Sequence, residues 1–404
     1  MSNTQKKNVP ELRFPGFEGE WEEKKLGEVA EIYDGTHQTP KYTNEGIKFL
    51  SVENIKTLNS SKYISEEAFE KEFKIRPEFG DILMTRIGDI GTPNIVSSNE
   101  KFAYYVSLAL LKTKNLNSYF LKNLILSSSI QNELWRKTLH VAFPKKINKN
   151  EIGKIKINFP TNKEQQKIGK FFSKLDRQIE LEEQKLELLQ QQKKGYMQKI
   201  FSQELRFKDE NGNDYPDWEE KKIEDIASQV YGGGTPNTKI KEFWNGDIPW
   251  IQSSDVKVND LILQQCNKFI SKNSIELSSA KLIPANSIAI VTRVGVGKLC
   301  LVEFDYATSQ DFLSLSSLKY DKLYSLYSLL YTMKKISANL QGTSIKGITK
   351  KELLDSIIKI PHNLEEQQKI GELFYKIDKY ISFNKCKIEM LKSLKQGLLQ
   401  KMFI

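Results

Sequence analysis

The chain has 404 residues, of which 39% are hydrophobic and 28% charged, so it can form two or three folded domains and is not globally disordered. Its net charge of +10 fits a polyanionic partner, although many soluble proteins of this size carry a similar charge. Three widely spaced cysteines without a CxxC motif argue against a disulfide framework or zinc cluster. The absence of a signal-peptide-like start and of an 18-residue apolar run argues against secretion and a membrane span, and predicts a cytoplasmic protein.

The chain consists of two similar halves. Glu-Leu-Arg-Phe begins at Glu11 and again at Glu204, and Trp-Glu-Glu-Lys-Lys begins at Trp21 and again at Trp218. We predict an N-terminal arm, a mixed α/β domain, a long helix, a second such domain and a second helix, at 1–17, 18–160, 161–203, 204–361 and 362–404. The predicted strands are 47–52, 81–85, 155–159, 248–252, 287–292 and 357–360, with helical residues near 118–137 and 321–336.

The long helices carry the strongest pattern. Residues 164–201 align without a gap with residues 366–403, and both begin Glu-Gln-Gln-Lys-Ile-Gly. Apolar residues, Tyr196 among them, recur at alternating three- and four-residue steps, and both copies break at two polar positions. Such a helix is often a bundle element, but duplication favours a paired, spacer-like coiled coil roughly 60 Å long. The residues predicted to form the pairing are Leu175, Ile179, Leu186, Leu189, Ile377, Ile381, Ile388 and Leu391.

A stretch rich in glycine and threonine occurs at the same place in both halves. Residues 33–40 read Tyr-Asp-Gly-Thr-His-Gln-Thr-Pro, and residues 231–237 read Tyr-Gly-Gly-Gly-Thr-Pro-Asn. Glycine lets a backbone approach a partner closely, and the polar side chains can hydrogen-bond to phosphates or base edges. A simple Gly/Pro turn explains the stretch equally well. The candidate DNA contacts here are Thr36, His37, Gln38, Thr39, Thr235 and Asn237.

Basic residues follow predicted strands in both halves. Thr-Arg-x-Gly contains Arg86 in the first half and Arg293 in the second, and each copy comes directly after a strand. Such an arginine suits a phosphate or a guanine, but an intramolecular salt bridge is an equal alternative. Lysine clusters are usually solvated surface, and only their repetition favours a role at DNA. The basic candidates are Arg86, Lys145, Lys146, Arg293, Lys298 and Lys346.

Motifs of catalysis are missing from the sequence. It has no GxxxxGK[ST] phosphate loop and no Pro-Pro pair, so the motor motif and the [DNS]PP[FYW] motif of amino-methyltransferases are both absent. The three histidines are scattered, which leaves a metal site or a catalytic triad unsupported. We therefore expect no catalytic residue and no metal ligand in this chain.

The chain resembles the specificity (S) subunits of type I restriction–modification systems. The resemblance covers nearly the whole chain and rests on the repeated helix openings, the Gly-Gly-Thr-Pro stretch at 233–236, the Trp-Glu-Glu-Lys-Lys entry and the Thr-Arg-x-Gly segments. It implies two tandem target-recognition domains of α/β (α+β) fold, joined by two long antiparallel coiled-coil helices in a pseudo-twofold duplication. In that family each domain reads one half of an asymmetric bipartite site in double-stranded DNA.

The resemblance also implies partners and cofactors. The helices would set the gap between half-sites and dock two modification subunits, which methylate adenine with S-adenosylmethionine. Separate restriction subunits would translocate and cleave DNA with ATP and Mg, so no cofactor is expected on this chain. The first half departs from the family pattern, with Asp-Gly-Thr-His-Gln-Thr-Pro in place of Gly-Gly-Thr-Pro. A stand-alone DNA-modifying enzyme and a coiled-coil scaffold are the alternative interpretations.

Overall fold

The computed structural model describes residues 8–258, 260–293, 295–340 and 347–404. It divides into two compact units, the first formed by Met1–Glu183 with Cys386–Ile404 and the second by Gln184–Lys385. Each unit therefore contains one α/β domain, the beginning of one long helix and the end of the other. Within the described ranges, none of the helices is long and apolar enough to cross a membrane.

The first unit contains a four-stranded sheet of order β2-β8-β5-β6, a three-stranded sheet β4-β3-β7 and the pair β1-β9. Its strands are β1 (Glu22–Lys25), β2 (Ala30–Asp34), β3 (Ile47–Leu50), β4 (Tyr63–Ile64), β5 (Ile82–Ile87), β6 (Asp89–Ile95), β7 (Phe102–Tyr104), β8 (Leu108–Thr113) and β9 (Lys156–Phe159). Its helices are α1 (Leu26–Val29), α2 (Glu66–Glu72), α3 (Ser118–Ile125), α4 (Ser128–Arg136), α5 (Lys149–Gly153) and the start of α6 (Asn162–Phe201).

The second unit repeats this arrangement with one added strand, in the order β11-β18-β15-β16-β13, with a sheet β14-β12-β17 and the pair β10-β19. Its strands are β10 (Glu219–Lys222), β11 (Ala227–Gly232), β12 (Ile248–Ile251), β13 (Ile262–Leu263), β14 (Phe269–Ile270), β15 (Ser287–Val291), β16 (Leu299–Val302), β17 (Ala307–Thr308), β18 (Phe312–Leu318) and β19 (Ile357–Ile360). Its helices are α7 (Lys272–Leu277), α8 (Lys322–Leu340), α9 (Lys350–Asp355) and the start of α10 (Leu364–Lys401). Every predicted strand is present.

Both faces of the main sheets are covered. Along β5, Ile82 and Met84 pack into one hydrophobic core while Leu83, between them, packs into another. Ile288 and Ala289 of β15 divide between two cores in the same way. Side chains alternate along a strand, so a strand covered on both sides is apolar throughout. This explains why these strands were recognisable as continuous apolar runs.

The repeated Trp-Glu-Glu-Lys-Lys motif forms an edge strand. In the first unit β1 pairs antiparallel with β9, with Glu22 opposite Phe159. In the second unit β10 pairs with β19 in the same way, with Glu219 opposite Ile360. Each motif therefore pairs with the strand that leads into the long helix. Its recurrence has a structural cause and gives no sign of a DNA contact.

The two other repeated motifs bind each other. Glu164, at the start of α6, is fully buried and accepts hydrogen bonds from Arg13 Nε at 2.7 Å and Arg13 Nη2 at 2.6 Å. Glu366, at the start of α10, is equally buried and pairs with Arg206 at 3.0 Å. A bidentate arginine is the partner that best compensates a buried carboxylate. Glu-Leu-Arg-Phe thus anchors the chain to the opening turn of each helix.

Three of the four polar breaks in the heptad pattern, Glu182, Lys193 and Lys395, lie in ion pairs. In the first unit Lys395 of α10 lies 2.6 Å from Asp176 of α6. In the second unit Lys193 of α6 lies 2.5 Å from Asp378 of α10. Further along in the first unit, Lys387 pairs with Glu182, so the residue numbers fall along α10 as they rise along α6. In the second unit Phe201 of α6 stacks on Phe374 of α10, beyond the Lys193–Asp378 pair, so in each unit the helix segments run antiparallel, as expected.

The heptad pattern fails at one predicted residue. Tyr196 is 40% exposed, whereas its neighbour Met197 is only 4% exposed and packs in the core of the second unit with Ile200 and Phe201. An α-helix drifts about 20° per heptad relative to a strict seven-residue repeat, so three heptads bring the next residue inward. Of the predicted pairing residues, Leu175, Ile381 and Ile388 are buried, and Ile179, Leu186, Leu189, Ile377 and Leu391 are half-buried.

The segments at 55–79 and 256–286, which differ in sequence, share part of their structure. Each contains a two-residue strand followed by a short helix, β4 with α2 and β14 with α7. In the first segment Ile64, Phe69 and Phe73 are core residues. The second segment adds β13, which pairs parallel with β16. These segments are therefore integrated into the domains rather than forming free loops.

Candidate DNA interface

Three predicted segments of the first domain converge at one edge of its main sheet. The end of β2 brings Asp34, the end of β5 brings Arg86, and the first residue of α5 is Lys149. The Arg86 guanidinium pairs with the Asp34 carboxylate, and Lys149 Nζ lies 3.9 Å from the same carboxylate. Residues that are far apart in sequence thus form one polar surface.

Arg86 itself has an intramolecular role. It is only 5% exposed, and beyond its pair with Asp34 its Nε donates to the Ile147 carbonyl at 3.0 Å. A buried guanidinium that is held by a carboxylate and a carbonyl has no free face for a phosphate. The salt bridge, which was the alternative interpretation, is what the structure contains, so the prediction that Arg86 faces DNA is corrected.

The glycine of the first Gly/Thr stretch packs against the domain itself. A side chain at Gly35 would come within 2.4 Å of the Tyr104 carbonyl, so glycine is required by a close approach within the domain. Thr36 N donates to the same carbonyl at 3.1 Å. After this anchor the chain turns outward, and His37, Gln38 and Thr39 are exposed. The stretch is therefore a structural turn that presents polar side chains to solvent.

The lysines predicted in the first domain are accessible. Lys145 and Lys146 are both exposed. The Lys145 ammonium lies 4.6 Å from the centre of the Trp135 ring, in a cation–π contact. The backbone of Lys146 bridges to Leu139 and to Ile87, which fixes the loop beside the end of β5. The two ammonium groups are suitably placed for phosphate contacts.

The second Gly/Thr stretch repeats the packing of the first. A side chain at Gly233 would come within 1.9 Å of the Ser309 carbonyl. Thr235 Oγ1 donates a hydrogen bond to Gln310 Oε1, which leaves this hydroxyl hydrogen engaged within the domain. Asn237 is exposed, and its Oδ1 accepts from Lys239 N at 3.0 Å. Gln310 was not identified from the sequence because it is 75 residues from Thr235.

Arg293 differs from Arg86. It is exposed, and no carboxylate pairs with it among the residues that the structure describes. Lys298, which is half-buried, ends the same hairpin, and its carbonyl accepts from Val291 N at 2.9 Å. Lys346 lies outside the described residues. Arg293 therefore remains a candidate for phosphate or base contact.

The two arginines do not occupy equivalent positions. Arg86 N donates to Ser107 O at 2.9 Å, and it is Thr292 N that makes the matching bond, to Asp311 O at 2.8 Å. The strand pairing agrees with this offset. Asp34 lies opposite Ala109 in the first domain, and Gly232 lies opposite Leu313 at the matching position of the second domain. The Thr-Arg-x-Gly repeat is thus offset by one residue between the domains. The second domain has Gly232 and Thr292 where the first has the Asp34–Arg86 pair.

A tyrosine beside this edge also has a different environment in each domain. The Tyr33 hydroxyl donates to Glu31 at 2.5 Å, and that hydrogen bond raises the pKa of Tyr33. The matching Tyr231 donates to the neutral Gln229 at 2.9 Å. The first domain therefore carries a negative charge at a position that is neutral in the second. Within the described residues, no cluster of His, Cys, Asp or Glu could hold a metal ion.

The similarity to known proteins agrees with this architecture. Residues 18–191 and 215–393 match the family described as the type I restriction modification DNA specificity domain. The type I restriction enzyme MjaIX specificity subunit of Methanocaldococcus jannaschii is 32% identical over 213 residues, 50% of this chain and 48% of that protein. The MjaVIII specificity subunit of the same organism is 26% identical over 424 residues, 97% of this chain and 93% of that protein. The chain thus matches about half the length of the first relative and nearly all of the second.

A solved structure has the same fold. The S subunit of a type I restriction–modification system from M. genitalium gives a TM-score of 0.64 at 15% sequence identity, covering 98% of this chain and 99% of that one. At this identity the likeness speaks for the fold alone, and the family assignment rests on the sequence match over both halves. The chain belongs to the family of type I restriction–modification DNA specificity subunits.

Proposed function

We propose that each domain of this specificity subunit reads one half of an asymmetric bipartite DNA site. The observation that carries the proposal is a shared framework with unshared side chains. The strand orders match, yet the arginine of Thr-Arg-x-Gly is buried against Asp34 in the first domain and exposed in the second, so the two domains present different side chains to solvent. Phosphate contacts position a protein on DNA, whereas contacts to base edges specify sequence. Different side chains on one framework therefore support two different half-sites.

We further propose that α6 and α10 set the gap between the half-sites and dock two modification subunits. Apolar side chains that remain exposed on the helices support the docking. Tyr380 and Phe383 in the second unit are 65% and 68% exposed, and Met390 in the first unit is 67% exposed. Aromatic residues commonly supply the energetic centre of a protein interface.

The chemistry is assigned to partners in this proposal. Modification subunits would methylate adenine with S-adenosylmethionine, and restriction subunits would use ATP and Mg. This chain would supply sequence recognition and assembly, with no cofactor of its own. A DNA ligand also implies a site of action in the cytoplasm.

Methylome sequencing tests the proposal. The gene is expressed with its modification gene in a host that lacks adenine methylation, and the methylated sequences are read. We expect one asymmetric motif with a fixed gap. Replacing residues 18–158 with the matching segment of a relative should change one half-site and leave the other intact. A change in both half-sites, or no motif at all, would contradict the proposal.

The role of the helices has its own test. Seven residues inserted after Gln192 and seven after the matching Leu394 keep the heptad phase and lengthen each helix by roughly 10 Å. We expect a longer gap between unchanged half-sites. Altered base preference at an unaltered gap would separate spacing from the helices and refute this part.

A further inference from the structure

The loop at 139–146 in the first domain carries an unusual apolar tip. Val141 is 99% exposed and Phe143 is 104% exposed, Leu139 at the base of the loop is 41% exposed, and Trp135, which contacts His140 and Lys145 of the loop, is 54% exposed. Single exposed apolar residues are common on proteins, but a cluster of this kind marks an interaction site. The core of the domain makes no use of Phe143.

The loop is fixed at its base. Leu139 N donates to Lys146 O at 2.7 Å, and Gly88 N donates to Lys145 O at 2.8 Å. Directly after the loop, the fully buried Ile147 donates from its N to Arg86 O at 3.0 Å. These bonds tie both ends of the loop to the framework at the end of β5. The tip is therefore presented from a rigid support, which lowers the entropic cost of binding.

The charge around the tip identifies the partner. Residues 134–150 contain five Lys or Arg, and three of them pair with carboxylates, Arg136 with Glu133, Lys137 with Glu151 and Lys149 with Asp34. The other two have no carboxylate partner among the residues that the structure describes. Lys145 and Lys146 follow the tip directly and are exposed. These two lysines are suited to the phosphates of a DNA duplex, and the apolar tip is suited to the base pairs between the two phosphate backbones. A protein partner would be expected to offer carboxylates instead, and the test below includes that outcome.

We propose that Phe143, supported by Val141, enters a groove of the DNA duplex and contacts the apolar surface of base pairs there. The first domain would then read part of its half-site by apolar contact, with Lys145 and Lys146 on the flanking phosphates. The proposal rests on the proposed function and specifies how one domain reads DNA. Ile348 makes the bond to Thr292 that Ile147 makes to Arg86. The residue four positions before Ile147 is Phe143, whereas the residue four positions before Ile348 is Ser344. The aromatic residue is therefore specific to the first domain.

The test uses the full chain assembled with its modification subunit, on a duplex that carries the motif found by methylome sequencing. Phe143→Ala should weaken binding to this duplex by about tenfold, the usual order for one lost base contact. Affinity for a random duplex, and the salt dependence of binding, should stay unchanged because no charge is removed. Phe143→Leu should lie in between. In cells, Phe143→Ala should relax one or two positions of a single half-site.

Phe79→Ala is the matched control, since Phe79 is also exposed in the first unit but lies outside the loop. It should bind like the wild type. Two DNA substitutions separate the kinds of contact. Uracil in place of a contacted thymine should weaken the wild type and not Phe143→Ala if the ring touches a thymine methyl group. 2-Aminopurine beside the contacted step should brighten with the wild type only if the ring enters the stack.

Several outcomes would overturn the proposal. Phe143→Ala could bind the motif as tightly as the wild type and methylate the same sites, which would leave the proposed function intact and remove the base contact. It could instead lose the modification subunit, which would make the loop a protein-docking site. Failure of both DNA substitutions to distinguish wild type from variant would also exclude a base contact. A wild-type complex with no sequence preference would overturn the proposed function together with this inference.

Discussion

The two recognition domains use the same Thr-Arg-x-Gly motif for different purposes. In the first, the arginine of Thr-Arg-x-Gly is buried against Asp34, and in the second it is exposed. A one-residue offset along the strand is the cause, because neighbouring side chains point to opposite faces. The framework is thus kept by hydrogen bonds of the backbone, while the side chains at its edge are free to change. This is how a duplicated domain can acquire a second specificity without losing its fold.

The largest expected effect concerns the buried arginine–glutamate pair that both domains contain. Arg13→Met should leave the fully buried Glu164 unpaired and lower the free energy of unfolding toward the upper end of about 3–5 kcal/mol. Arg206→Met should cost about 1 kcal/mol less, because Glu366 also accepts from Trp218 Nε1 at 3.1 Å. Urea denaturation of the complex measures both.

Arg177→Met is the control for these two variants. Arg177 pairs with Glu180 on the exposed surface of α6, so its loss should change stability by less than about 0.5 kcal/mol. Equal losses for Arg13 and Arg206 would show that the Trp218 bond adds nothing, and that the two anchors are energetically the same.

The next prediction tests whether the Asp34–Arg86 pair at the sheet edge of the first domain can be replaced by the glycine and threonine found at the matching positions of the second. Asp34→Gly leaves the buried Arg86 without its carboxylate and should cost about 3 kcal/mol. Adding Arg86→Thr reproduces the pair found in the second domain and should recover most of this loss. A double-mutant cycle by urea denaturation gives the coupling. If the double variant is as unstable as the sum of the two single variants, the pairs are not interchangeable.

A smaller effect is expected at the ion pairs of the helices. Lys193→Met should cost about 1–3 kcal/mol and more than Lys395→Met. Asp176 keeps Lys122 at 3.0 Å after the loss of Lys395, whereas Asp378 keeps, among the residues that the structure describes, the Tyr327 hydroxyl at 2.8 Å. Thermal unfolding ranks the two variants. The reverse order would mean that Lys122 contributes nothing to Asp176.

Acidification gives a second measure of the first of these pairs. Burial raises the pKa of Asp176, but Lys122 and Lys395 lower it by more, so the pKa lies below its ordinary value. A carboxylate with a lowered pKa contributes stability above its unfolded pKa of about 3.9 and loses it as pH falls through the folded pKa. Lys395→Met should therefore reduce the loss of stability below about pH 4. An identical acid profile would contradict this coupling.

The sequence was sufficient for the framework but not for the partners of its polar residues. Apolar strands and heptad spacing are local patterns, so the strands and both long helices could be predicted. Arg13 and Glu164 are 151 residues apart, and no local pattern shows that they meet. The offset between Arg86 and Arg293 is equally hidden, because the two Thr-Arg-x-Gly copies align without a gap. Phe143 lies beside Pro144 and two lysines, which is a usable signal, but the sequence pattern predicts only the two lysines as DNA contacts.

The smallest effect separates the two arginines in function. Arg293→Ala should lower the slope of log K against log salt by about 0.9, because an exposed cation without a carboxylate partner in the described structure is suited to a phosphate. The affinity should fall only a few-fold, and the fold should be unaffected. The Asp34→Gly/Arg86→Thr double variant also removes an arginine, yet it should leave the slope unchanged, because that charge is neutralised inside the domain. Anisotropy titrations at several salt concentrations measure both slopes. Equal decreases in the two variants would place Arg86 at the DNA after all, since a buried ion pair cannot release a counterion from a phosphate.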